Sequence, residues 1–284
     1  MKIRFRFVHY LALSGLIAAS FFAQAESRQA GEPSEAPPRI EDNSFLIEEA
    51  YNQETGVVQH IQTFQYLRDG TWAYTFTQEW PVPNQKHQLS YTIPLFRPDA
   101  SNGHDGLGDV MINYRYQALA SDRVAFSPRL SLILPTGEEK EGLGNDALGF
   151  QANMPVSLTL STRWTTHLNA GATFIPDAEE AGGAKADLFG YNLGVGLILN
   201  AAKNFDLMLE SVWFSNESVR ENGETERSDA FFLSPGFRFA VNCKSGLQIV
   251  PGIAVPIGLG PSDNEVGMFF YLSLEHSFKK TNGK

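Results

Sequence analysis

Nine ionisable side chains stand out by their setting: Glu79, Asp109, Arg115, Arg129, His167, Asp206, Glu210, Arg238 and Glu275. Each falls on the small or polar half of an alternating stretch, together with Asn113, Gln117, Gln151, Asn153, Asn169, Asn192 and Gln248. Three guanidinium groups among five carboxylates can pair with one another, or they can hydrogen-bond a polar solute that passes them. The mixed signs exclude a ring of one charge. Two readings follow: a narrow polar pore lined by these groups, and a salt-bridged polar core that only holds the molecule together.

Catalysis and metal binding fit the residues poorly. A nucleophile needs its base within hydrogen-bond reach, yet His60, His87, His167 and His276 lie on separate stretches without a paired serine pattern. His276 and Ser277 are neighbours, so on a strand they point to opposite faces. No Cys, His and carboxylate spacing suits a metal. Cys243 is the single cysteine and can form no intramolecular disulfide. We expect no enzyme, no cofactor and no metal site.

The stretches that must position these residues alternate with period two. Trp72, Tyr74, Phe76 and Trp80 alternate with Ala73, Thr75, Thr77 and Glu79. Tyr191, Leu193, Val195, Leu197 and Leu199 alternate with Gly190, Asn192, Gly194, Gly196 and Ile198, and Phe231, Leu233, Phe237 and Phe239 with Ala230, Ser234, Gly236 and Arg238. This pattern puts one face in an apolar medium and one in water. A soluble barrel points its apolar set inward. Here the small set would fill an interior poorly, so the aromatic set belongs outside.

About twelve such stretches run from residue 56 to 278, most of them about ten to thirteen residues long, enough to cross hydrocarbon when tilted. After the first hairpin every second connection is long, at about nine to fourteen residues, and those between have about two to four. Membrane barrels have tight periplasmic turns and outer loops free to grow. The long loops are acidic, through groups such as Glu138-Glu139-Glu141, Asp177-Glu179-Glu180 and Glu217-Glu221-Glu224-Glu226. The expected fold is all-β: a single transmembrane antiparallel up-and-down β-barrel of about twelve strands, with short periplasmic turns and long acidic extracellular loops. Pro94, Pro128, Pro155, Pro235 and Pro251 fall inside predicted strands, where each removes a ladder hydrogen bond and marks a bulge or kink.

Residues 1–25 read as a cleaved signal peptide: Lys2, Arg4 and Arg6, an apolar run from Val8 to Phe22, then Ala23-Gln24-Ala25. They carry three positive charges, so the net charge of −10 becomes about −13 on cleavage. Such acidity disfavours nucleic acid. Residues 26–43 are polar and Pro-rich and read as a disordered periplasmic leader. Residues 44–55 read as a plug, an extra strand or a short helix. Residues 56–278 form the barrel, and 279–284 a basic periplasmic tail.

The stretches IEEAYNQETGVVQHIQTF (Ile47–Phe64), WAYTFTQEWPV (Trp72–Val82), KHQLSYTIP (Lys86–Pro94), GLGDVMINYRYQ (Gly106–Gln117) and PRLSLILPTG (Pro128–Gly137) resemble the outer-membrane transporter family named for the MetA pathway of phenol degradation. The resemblance covers most of the chain after the signal. It implies a barrel and supplies no catalytic residues. The chain continues KKTNGK after Phe278, where the terminal aromatic of many barrels stands last. Outer-membrane phospholipases also have twelve strands, and Ser101-Asn102-Gly103 matches part of their motif, but Asp99 stands where their His would be.

The expected protein is an outer-membrane barrel of a Gram-negative cell that passes a small solute, aromatic or hydrophobic solutes included, through a narrow charged lumen. The alternative is a structural or surface-interaction barrel with a closed core. The expected partners are outer-membrane lipid and lipopolysaccharide, the barrel-assembly machinery and the solute, with no nucleic acid.

Overall fold

The computed structural model describes Ile40, residues 42–98 and residues 103–278. The expected signal peptide, most of the leader, the basic tail and Asp99 to Asn102 lie outside the described residues. Among the described residues, the alternating stretches form twelve staves. β1 is Val57–Leu67, β2 Trp72–Pro81 and β3 His87–Arg97. β4 joins Gly106–Leu107, Val110–Tyr116 and Leu119–Ala120. β5 joins Val124–Phe126 and Arg129–Leu134, and β6 joins Gly149–Asn153 and Val156–Thr159. β7 is Trp164–Glu179, β8 Lys185–Ala202 and β9 Phe205–Val219. β10 joins Thr225–Phe239 and Val241–Asn242, β11 joins Gln248–Ala254 and Ile257–Gly258, and β12 is Gly267–Ser277.

Each stave pairs antiparallel with the next, and β1 pairs with β12 from Val57↔Ser277 to Leu67↔Gly267. Closure leaves no sheet edge, which hydrocarbon demands of a spanning sheet. The even count puts the start of β1 and the end of β12 at one rim, the one expected to face the periplasm. Phe64, Tyr66, Tyr114, Leu132, Phe150, Tyr191, Leu209, Phe237 and Phe270 are exposed on the outer surface.

Polar groups on that outer surface are paired side by side. Tyr74 Oη donates to Gln62 Oε1 at 3.1 Å and Tyr91 Oη to Gln78 Oε1 at 3.0 Å. His60 and His276 meet through their Nε2 atoms at 3.3 Å across the β1–β12 seam. Such pairing lowers the cost of polar groups against lipid.

Pro128 and Pro155 fall in the breaks of β5 and β6, whereas Pro94, Pro235 and Pro251 sit within continuous strand. Two expected long loops prove to be strand. β7 and β8 continue to Glu179 and Lys185, and β9 and β10 to Val219 and Thr225. Cross-strand pairs explain the extension: Lys185–Glu179 at 2.8 Å, Arg227–Glu217 at 2.8 Å and Arg220–Glu226 at 2.7 Å. Ala178, Leu188 and Val219 add a small apolar cluster. Charges that suggested solvated loops are rungs of hairpins instead.

Candidate functional site

Ile40 and residues 42–55 form neither helix nor strand, and up to Gln53 they run inside the barrel, Glu54 and Thr55 being exposed. Asp42 and Asn43 belong by composition with the polar leader, yet they are 1% and 9% exposed. The glycines of the inner face make the room. A Cβ at Gly194 would stand 2.5 Å from Ile47 Cδ1, and one at Gly252 2.4 Å from the Phe45 ring. Phe45 packs with Ile61, Phe269 and Tyr271, and Ile47 with Val212, Phe214 and Phe232.

A buried irregular backbone must find partners for its N–H and C=O groups. Here wall side chains supply them. Glu210 accepts from the backbone N–H groups of Phe45, Leu46 and Ile47 at 3.1–3.2 Å. Asn169 brackets Glu48, accepting from its N–H and donating to its carbonyl, each at 2.8 Å. Ser157 Oγ accepts from Ala50 N at 2.8 Å, while Ser127 Oγ and Gln117 Nε2 donate to Ala50 O at 2.6 and 2.7 Å. Gln117 and Gln88 accept from Asn52 N and Gln53 N at 2.9 and 2.8 Å.

The nine singled-out residues divide on this geometry. Arg115 donates to Asn52 Oδ1 at 2.9 Å and to the carbonyls of Glu49 and Tyr51 at 3.1 and 2.6 Å. Arg238, 1% exposed, pairs with Asp206 at 2.9 Å and donates to the carbonyls of Ile40, Asp42 and Asn43. With Glu210, these residues bind the inner segment. His167 Nδ1 lies 2.7 Å from Ser157 Oγ. Sequence reasoning missed this Ser–His contact, which joins adjacent staves ten residues apart. The Ser157 hydroxyl already meets Ala50, so the pair helps hold the segment. Glu79 accepts from Gln88 Nε2 at 2.7 Å. Glu275 is half-buried beside Gln59 and Gln248. Arg129 pairs with Glu48 of the segment at 2.7 Å.

Beside the segment and towards the outer rim lies a cavity of about 280 Å³. Its lining mixes polar and apolar side chains. Glu79, Asn113 and Arg129 line the wall near Glu48; Thr77 and Thr92 follow, with Met111 and Ile133 in register beside them; Thr63, Thr75 and Phe96 lie beyond, and Leu143 lines it with Asp109 and Asn145. The threonines pair across strands, Thr63–Thr75 at 2.6 Å and Thr77–Thr92 at 2.9 Å. Leu143 comes from the connection 135–148 and packs on Ala73 and Phe96.

Asp109 secures that connection, accepting from Gly137 N at 3.0 Å and Asn145 N at 3.2 Å. Thr136 Oγ1 adds a bond to Gly108 O at 2.8 Å. Gly106 gives Leu143 its space: a Cβ there would stand 2.3 Å from Leu143 Cδ1.

A family model described as "Putative MetA-pathway of phenol degradation" matches residues 39–253. The chain belongs to this family. The two MetA-pathway stretches GLGD and LPTG meet in space, because Asp109 of the first and Gly137 of the second hold the loop that carries Leu143. Among solved structures, the COG4313 outer membrane channel from Pseudomonas putida F1 superposes with a TM-score of 0.61 at 13% identity, covering 81% of this chain and 98% of that one. The NanC porin gives 0.51 at 9% identity, covering 78% and 99%. These likenesses establish a shared barrel fold. No curated protein sequence matches the chain.

Proposed function

We propose that this MetA-pathway family member is a passive outer-membrane channel for a small solute, closed at rest by its own inner segment, Ile40 and residues 42–53. One observation carries the reading. The interior holds an irregular segment fastened through side chains, while the twelve staves close their ladder without it. The segment can therefore leave without breaking the barrel. Its neutral hydrogen bonds are worth about 0.5–1.5 kcal/mol net each and those to Glu210, Arg115 and Arg238 about 1.5–3, since water replaces them once the lumen is wet.

The solute enters from the outer side past Leu143, rests in the cavity, and passes on when the segment shifts. A cavity of about 280 Å³ lined partly by apolar side chains suits a molecule with an aromatic or aliphatic body. The family's association with phenol degradation favours the same class, and the P. putida neighbour is named an outer membrane channel. The barrel sits in lipid and lipopolysaccharide after delivery by the assembly machinery, and no catalytic step is assigned.

Planar-bilayer recordings test the reading. The parent should conduct rarely, and a variant lacking residues 26–55 should conduct steadily while keeping the heat-dependent gel mobility of a folded barrel. Silence in both folded forms would leave a structural barrel.

A further inference from the structure

We infer that the polar end of the cavity is a carboxylate site, occupied at rest by the protein's own Glu48, and that the solute is a small monocarboxylate with an apolar aryl or alkyl tail. The inference rests on the channel reading and names its solute class.

Glu48 belongs to the inner segment; its Oε1 accepts from Asn153 Nδ2 at 2.9 Å and forms an ion pair with Arg129 Nη2 at 2.7 Å. A guanidinium beside a side-chain amide is a pair of donors suited to a free carboxylate. The Arg129 head is also held in place, with Nη1 donating to Asn113 Oδ1 at 2.7 Å and to Ser131 Oγ at 2.9 Å, and Nη2 to Gln151 Oε1 at 2.7 Å. Its Nε is buried and lacks a hydrogen-bond partner among the described residues.

Charge supports an anion over a cation. Arg129 and Arg115 stand with Glu48 and Glu79 around this end, and Glu48 is the carboxylate paired with Arg129. Glu79 is occupied by Gln88, and Arg115 by the segment's backbone. When Glu48 leaves, one positive charge is exposed in a confined space. A neutral solute gains nothing from it, and a carboxylate replaces the lost partner.

The positions of the donors and of the apolar side chains set the pose. The carboxylate lies on Arg129 and Asn153. The tail lies along the threonine ladder towards Met111, Ile133 and Phe96. An incoming acid thus competes with Glu48 for the same donors, and its binding detaches one anchor of the segment that blocks the lumen.

The test uses the full-length protein in detergent and in liposomes, with 3-phenylpropionate and its neutral amide as probes. Calorimetry should show weak binding of the acid to the parent. Glu48→Gln should bind the acid at least tenfold tighter and leave the amide unchanged. Arg129→Gln should lose acid binding; if it fails to fold, Arg129→Lys should weaken acid binding at least tenfold on the Glu48→Gln background. Equal gains for acid and amide in Glu48→Gln, or undiminished acid binding after either Arg129 change, would overturn the carboxylate site. Liposome flux separates the two ideas. Flux without preference for the acid sinks the carboxylate site and keeps the channel; acid binding without flux in any folded form sinks the channel and keeps the site.

Discussion

Two backbone N–H groups, on Gly137 and Asn145, converge on the carboxylate of Asp109, which thereby fastens one side of the 135–148 connection to the barrel rim. Replacing Asp109 with Ala strands both donors in a partly buried place, at a cost of about 1–3 kcal/mol. The larger effect should be local. Leu143 should leave its seat on Ala73 and Phe96, and trypsin should cut the folded Asp109→Ala protein at Lys140 severalfold faster than the parent. Unchanged cleavage would show that other contacts hold the loop. The period-two pattern could mark Asp109 as inward-facing but could not assign this role, because its partners lie 28 and 36 residues away in a loop without periodicity. The same limit applies to Glu210, whose partners are backbone N–H groups about 163 to 165 positions earlier. Alternation tells which way a side chain points, and nothing about what meets it there.

The inner segment shows the limit at the scale of an element. Gly190, Gly194 and Gly196 read as a face too small to fill an interior, and that reading was right about the strands alone. The filling comes from Phe45 and Ile47, in a stretch too short and irregular to carry a helical or strand pattern. The twelve staves were legible, because lipid on one side and polar groups on the other impose a period that sequence displays directly. The two outer hairpins were not, because charged cross-strand rungs look like loop residues. A valine at Gly194 or Gly252 should press the segment out, since its Cβ would lie about as close to Ile47 or Phe45 as the 2.5 and 2.4 Å already noted. Valine suits a strand, so the staves should persist. We expect Gly194→Val and Gly252→Val to conduct steadily in planar bilayers and to keep folded-barrel gel mobility. Variants as silent as the parent would mean that the segment is not the barrier.

The whole molecule depends on an inside-out arrangement, with residues outside that would usually form a core and an interior rich in Asn, Gln, Ser and paired charge. A soluble barrel of the same topology would collapse with its aromatic face inward, so the membrane is the solvent that selects between the two. Leu197 tests this most directly. It lies midway along the part of β8 that pairs within the barrel, opposite Leu209 of β9 and Thr166 of β7, on the face shared with exposed Val195. A lysine there should cost roughly 2–4 kcal/mol if the position sits near the bilayer midplane. Thr75 gives the internal control, because it lines the cavity and a lysine there reaches water; its cost should stay below about 1 kcal/mol. Reversible denaturant unfolding in lipid vesicles measures both. A large cost for Leu197→Lys beside a small one for Thr75→Lys fixes the direction of the wall. Equal costs would mean that the aromatic face does not meet lipid, and the cavity, the inner segment and the carboxylate site would then all need a different setting.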